Sequence, residues 1–242
     1  MCTVSWLHQP DGYTLLCNRD EKKTRLPASP PVLNASDGTQ YLAPVDGNHG
    51  GTWIAVNEFG LTLCLLNGKP RPAGSRSRGL LLPEWIASSD AASVLGAFTR
   101  ANLSVYSPFT AVVLEPGRPA LVLRWDGAKR SSLDDGEACM PLTSSSFDAA
   151  GAQVHRRMEF RRLLAQTGRL DNQLLRVFHS SHGSALGPLS ACMHREDAET
   201  VSFTRVTVDA QAIRMDYSPS APCKRVPSTH YEMTRVAACL SL

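Results

Sequence analysis

The feature that most limits what this chain can fold into lies at its very start, where a strand, a tight turn and a returning strand begin at residue 2. Thr3 to His8 reads as a strand, Gln9-Pro10-Asp11-Gly12 as a turn, and Tyr13 to Cys17 as a second strand rich in β-forming apolar residues. With the turn centred near Pro10 or Asp11, residues whose numbers sum to about 21 or 22 face each other across the antiparallel pair. That register sets Arg19 and Asp20 beside Cys2. One hairpin therefore gathers a thiol, a cation and a carboxylate.

Cys2 follows the initiator methionine, and aminopeptidases remove methionine ahead of small residues. The exposed residue would carry a thiol and a free α-amine, with reference pKa values of about 8.5 and about 7.7–8.0, so the amine can serve as base for its own side chain. Arg19 would favour the thiolate and Asp20 would orient the amine. Taken singly, each part has a plainer reading: Cys2 as a small buried residue at a strand start, and Asn18-Arg19-Asp20-Glu21 as a solvated turn. The hairpin spacing is what joins them into a candidate site.

The rest of the chain supplies more hairpins. Residues 29–51 are rich in Pro, Gly, Asn and Ser and read as a long loop. Trp53 to Val56, a turn at Asn57-Glu58-Phe59-Gly60 and Leu61 to Leu66 form a second hairpin, which ends at Asn67. Asp90 is placed to cap a helix through Ala91, Val94, Leu95 and Phe98. Ser107 to Leu114 and Ala120 to Trp125 make a third hairpin around Glu115-Pro116-Gly117-Arg118. Gln153 to Leu164 suits a helix packing Val154, Met158 and Leu163 or Leu164 on a sheet. Strands follow at 200–208, 212–217 and 231–240. This order gives an α+β fold with antiparallel sheets.

At 242 residues with a formal charge of +3, the chain suits a single domain spanning 1–242 and lacks the basic, aromatic-interleaved footprint of a nucleic-acid binder. No stretch approaches the ~20 apolar residues of a membrane span. Seven scattered cysteines without a C-x-x-C pair argue against a disulfide framework and for a reducing, cytoplasmic setting. His179-Ser180-Ser181-His182 and Cys192-Met193-His194 have spacings a metal could use, but their Gly/Ser/Pro surroundings fix neither geometry nor ligand count, so no metal is expected. Arg156, Arg157, Arg161 and Arg162, with Arg71, Arg76 and Arg78, could line an anionic entrance, although a solvated helix face is the better explanation of the first four.

Met1-Cys2, Asn18-Arg19-Asp20-Glu21, Pro27, Gly50-Gly51-Thr52-Trp53, Gly60, Asn67 and Arg78-Gly79 together resemble the signature blocks of the NRDE family of transport-and-Golgi-organisation proteins. Cys192-Met193-His194-Arg195 ahead of Thr200-Val201-Ser202 extends the likeness to the C-terminal part. That family is in turn similar to N-terminal-nucleophile (Ntn) hydrolases with an N-terminal cysteine, such as bile salt hydrolases and penicillin V acylases. The resemblance implies a four-layer αββα sandwich of antiparallel sheets. It implies catalysis at Cys2, Arg19, Asp20 and Asn67, with a downstream arginine at Arg156 or Arg157, of which Arg157 is taken forward. Asn18, Glu21, Trp53 and Ser145 are expected to line the substrate. A further asparagine of those hydrolases falls near Thr143-Ser144-Ser145-Ser146, where this chain has none. The implied function is hydrolysis of a C–N bond in a small, anionic amide without a cofactor. The alternative is a non-catalytic protein that handles a small ligand such as haem, with which eukaryotic relatives are associated.

Overall fold

The computed structural model describes residues 2–69 and 76–237. In chain order the strands are β1 (Cys2–Gln9), β2 (Gly12–Lys22), β3 (Ser29–Ser36), β4 (Thr39–Val45), β5 (Ile54–Asn57), β6 (Thr62–Asn67), β7 (Phe109–Leu114), β8 (Leu121–Trp125), β9 (Arg130–Leu133), β10 (Leu142–Thr143), β11 (Ala198–Val208), β12 (Ala212–Ser218) and β13 (Thr229–Thr234). The helices are α1 (Leu81–Trp85), α2 (Ala91–Arg100), α3 (Ala149–Thr167) and α4 (Asn172–Ser180). One sheet runs β10-β1-β2-β11-β12-β13 and the other β3-β4-β5-β6-β7-β8-β9, with every pairing antiparallel.

Why two sheets stack between helices follows from β6. Successive residues of a strand point to opposite faces, and here both faces are apolar. Cys64 and Leu66 join Val4, Trp6, Leu15, Val206 and Ile213 between the sheets. Leu63 and Leu65 instead pack with Trp85, Val94 and Phe98 of α1 and α2 on the other side. On the far face of the first sheet, α3 and α4 bring Phe160, Leu163, Leu174 and Phe178 onto Leu16 and Phe203. The result is an α+β sandwich in four layers, αββα.

Sequence and structure part at several places. Residues 29–45 are not a loop but the hairpin β3–β4, which turns at Asp37-Gly38, both at positive φ (47° and 80°). β3 is an edge strand and its pairing is interrupted between Ser29 and Val32, so Pro30 and Pro31 break no ladder bond that matters. Helix α4 was not foreseen. In α3 two of the expected apolar contacts fail, since Val154 and Met158 are 58% and 66% exposed, while Leu163 packs as expected. The buried side of α3 carries Ala152, Arg156, Glu159, Phe160 and Leu163, because the sheet beneath it is polar at that end, where Thr3, Ser5, Asn18 and Asp20 are buried. The last strand stops at Thr234, and the end of the range expected for it lies outside the described residues.

Candidate active site

The hairpin register is the one the turn dictates: Cys2 pairs with Arg19 and Thr3 with Asn18. Alternation then splits the motif between two faces. Cys2 and Arg19 turn inward to the gap between the sheets, whereas Asn18 and Asp20 turn outward beneath α3 and α4.

On the inner face, Cys2, Arg19, Glu21, Trp53 and Asn67 line one cleft of about 280 Å3. Arg19 lies over the Trp53 ring, 4.0 Å from its centroid, and its guanidinium contacts Asp46. Arg25 donates to both Asp46 oxygens at 2.8 Å. Burial works to raise the Asp46 carboxyl, but Arg19, Arg25 and the His49 N–H hold it below the usual carboxylate range. Arg78 and Arg76 complete the wall, so four arginines face two carboxylates, Glu21 and Asp46, across the cleft. The Trp53 indole N–H is buried and has no hydrogen-bond partner among the described residues.

Two glycines of the signature blocks shape the rim. Thr52 N donates to Gly79 O at 3.0 Å, and a Cβ on Gly51 would lie 2.6 Å from the Gly79 carbonyl carbon. Only hydrogen side chains permit this crossing.

On the outer face, Asp20 (0% exposed) and Arg156 (1% exposed) form a buried ion pair at 3.3 Å. Thr200 Oγ1 donates to Asp20 at 2.6 Å. Arg156 also donates to Thr3 Oγ1 (2.7 Å), Thr143 Oγ1 (2.6 Å) and the Leu189 carbonyl (3.2 Å). Burial raises the Asp20 carboxyl, while Arg156 and the positive chain terminus oppose that rise. The carboxylate therefore bears on Cys2 from the outer face of the sheet, not from inside the cleft.

Cys2 itself is clamped at its backbone by Ser144: Cys2 N donates to Ser144 Oγ at 3.0 Å, and Ser144 N donates to Cys2 O at 2.9 Å. Its side chain meets the Cys17 thiol, whose own sulfur lies 3.7 Å from Cys64. The hydrogen bond with Cys17 and burial hold the Cys2 thiol well above its ordinary value, while the positive terminus pulls it down.

Several expected residues sit elsewhere. Arg157 does not reach the site; one helical step of ~100° turns it away from Arg156, and it donates to the Cys139 carbonyl at 3.1 Å. Ser145 accepts from Phe147 N and Asp148 N ahead of α3, and Ser144 stands at the cysteine instead. Asn18 lines no cleft: its amide donates to the His179 and Ala191 carbonyls at 2.8 Å. Arg161 and Arg162 lie away from the cleft, with Arg162 paired to Glu159, and Arg71 is outside the described residues. Asp46, Ser144 and Thr200 were missed because none has a sequence signal without the strand pairings.

His179, expected only as a possible ligand, is fully buried between Ser5 Oγ (2.8 Å) and Asn18 Oδ1 (3.0 Å). Asn18 Oδ1 can only accept, so Nδ1 carries the proton and Nε2 accepts from Ser5. Burial, with Arg156 adding to it, drops the His179 pKa to about 3. The unfolded chain binds this proton near pH ~6.5 and the folded one does not, so stability is fully present above that pH and declines below it, by roughly 1.4 kcal/mol per pH unit. Asp20, whose carboxyl is raised, opposes this below its own folded value. Thermal melts from pH 7 to 4.5 should fall more steeply for the parent than for His179→Gln; parallel curves would refute the assignment.

The family model described as Transport and Golgi organisation 2 matches residues 1–201. Transport and Golgi organization protein 2 of Drosophila melanogaster is 33% identical over 122 residues, covering 45% of this chain and 42% of that protein. Among solved structures, a Caenorhabditis elegans ortholog of N-acylethanolamine-hydrolyzing acid amidase superposes with a TM-score of 0.60 at 17% identity, covering 85% of this chain and 92% of that one. Penicillin V acylase from Agrobacterium tumefaciens gives 0.55 at 8%, covering 97% and 86%. A conjugated bile acid hydrolase from Clostridium perfringens gives 0.54 at 12%, covering 97% and 96%. These structures share the Ntn-hydrolase fold with this chain.

Proposed function

The chain belongs to the Transport and Golgi organisation 2 family, and from that premise we propose that it is an N-terminal-cysteine amidohydrolase that cleaves the C–N bond of a small anionic amide. The observation that carries the reading is Cys2 set opposite Arg19 at an arginine-lined cleft, with Asp20 fixed on the outer face of the same strand pair by Arg156.

Removal of Met1 would free the α-amine. Because the thiol is held protonated, the amine accepts its proton as Cys2 Sγ attacks the substrate carbonyl carbon. The resulting oxyanion falls to Asn67 and backbone N–H groups. Collapse of the tetrahedral species breaks the C–N bond, and the leaving amine takes the proton back from the α-ammonium. Water, deprotonated by the same amine, then attacks the thioester and releases the acid. Arg76 and Arg78 would receive the substrate's anionic group, in a reducing compartment such as the cytoplasm.

Intact-protein mass spectrometry of the chain made in cells, before and after brief exposure to a thiol-reactive probe at neutral pH, tests this. The expected result is loss of the Met1 mass and preferential labelling of Cys2. Retention of Met1 with an inert Cys2 sinks the hydrolase reading. Saturable binding of an amide, or of haem, without turnover would assign the cleft to ligand handling instead.

A further inference from the structure

We propose that His182, Cys192, His194 and Cys223 hold a structural Zn2+ ion. The inference does not depend on the hydrolase reading, because these residues lie outside the cleft that contains Cys2. Each offers one ligand atom, and the four atoms lie within 4.8 Å of one another. They come from three separate segments: His182 just beyond α4, Cys192 and His194 flanking Met193, and Cys223 in the short turn Pro222–Lys224 after β12. Sequence spacing had flagged His179 with His182, but His179 is spent on Ser5 and Asn18, and the missing fourth ligand, Cys223, comes from a segment some 30 residues on.

Two of the six edges have the length of a tetrahedral cage, and the rest fall within 4.8 Å. With Zn–N of about 2.0–2.1 Å and Zn–S of about 2.3 Å, a tetrahedral site has N···S edges of about 3.6 Å. The His194 Nε2 to Cys192 and Cys223 sulfur distances are 3.6 Å and 3.4 Å. The His182 and His194 rings stand 5.1 Å apart at their centroids. His182 Nε2 is buried with no hydrogen-bond partner among the described residues, an arrangement that is costly unless something fills it. Behind His194, Nδ1 faces the Glu199 carboxylate across 3.9 Å, on the side from which a carboxylate orients a ligating imidazole once it closes to hydrogen-bond distance. Two thiols and two imidazoles select zinc over the oxygen-seeking Mg2+ and Ca2+. Binding displaces one proton from each thiol and forms two Zn–S and two Zn–N bonds.

What such an ion would do is equally legible. Residues 181–193 contain no helix or strand, yet their carbonyls support the outer face of the site: Leu189 O accepts from Arg156 and Ala191 O from Asn18. The zinc would pin both ends of this loop to β12's exit.

The protein should be purified without a histidine tag and its metal content measured by mass spectrometry. About one zinc per chain is expected, lost in Cys192→Ser/Cys223→Ser but retained in Cys2→Ser. Should the double variant fail to fold, Co2+ titrated into chelator-treated parent protein provides the reading: visible bands of tetrahedral cobalt–thiolate, bleached by Zn2+, with a restored melting temperature. Zinc-free protein that takes up neither Zn2+ nor Co2+ overturns the proposal, and so does a Cys192–Cys223 disulfide in protein from cells.

Discussion

An Arg156→Ala protein is expected to melt about 6–20 °C below the parent, because removing one partner of a fully buried ion pair costs about 3–5 kcal/mol and each kcal/mol shifts a chain of this size by roughly 2–4 °C. Asp20 would keep its bond from Thr200 at 0% exposure but lose the guanidinium that neutralises it. Thr3, Thr143 and the Leu189 carbonyl would lose a donor at the same time. Differential scanning calorimetry of Arg156→Ala, Asp20→Asn and the double variant checks this. In the double variant no charge is stranded, so its loss should be well below the sum of the two single losses. Additive losses would mean that the two groups stabilise the fold independently.

Cys2→Ala should leave the melting temperature near that of the parent and abolish the burst of product from an activated aryl ester. Loss of a nucleophile typically lowers turnover by at least ~10^3-fold. Alanine still permits removal of Met1, so the comparison isolates the sulfur. Asn67→Ala should retain the burst in amplitude but slow it by about 10^2–10^3-fold, the usual effect of deleting one oxyanion donor. Stopped-flow detection separates the two. A Cys2→Ala protein with an undiminished burst would remove the sulfur from the reaction altogether.

How far the sequence reveals this depends on whether local chemistry or long-range pairing decides each part. The first hairpin was legible because a tight turn fixes register: Pro10 and Asp11 alone set Cys2 against Arg19. The Asp90 cap of α2 and the hairpins over residues 54–67 and 109–125 are equally local. Residues 29–45 misled because Pro and Asn were weighed as loop formers while the Asp37-Gly38 turn signal was passed over. α3 misled for a deeper reason. Its buried stripe is not the apolar one, since Arg156 and Glu159 pack against a polar sheet face that no window of sequence discloses. Alternation predicts that Asp20 and Cys2 cannot share a face once Arg19 pairs with Cys2, yet the motif reads as one cluster. Ser144 becomes visible only when the two-residue β10 is known to pair with β1.

That same pairing has a practical consequence. β1 lies between β10 and β2, and the Cys2 nitrogen points at Ser144 Oγ. Residues fused ahead of Cys2 need not disturb either strand, since the nitrogen keeps one hydrogen to donate. They would convert a basic amine into an amide. A protein carrying an amino-terminal affinity tag would thus fold, crystallise and melt normally while lacking its proposed base. Recombinant protein for activity screens should carry its handle beyond Leu242, and a tagged preparation makes a ready-made inactive control.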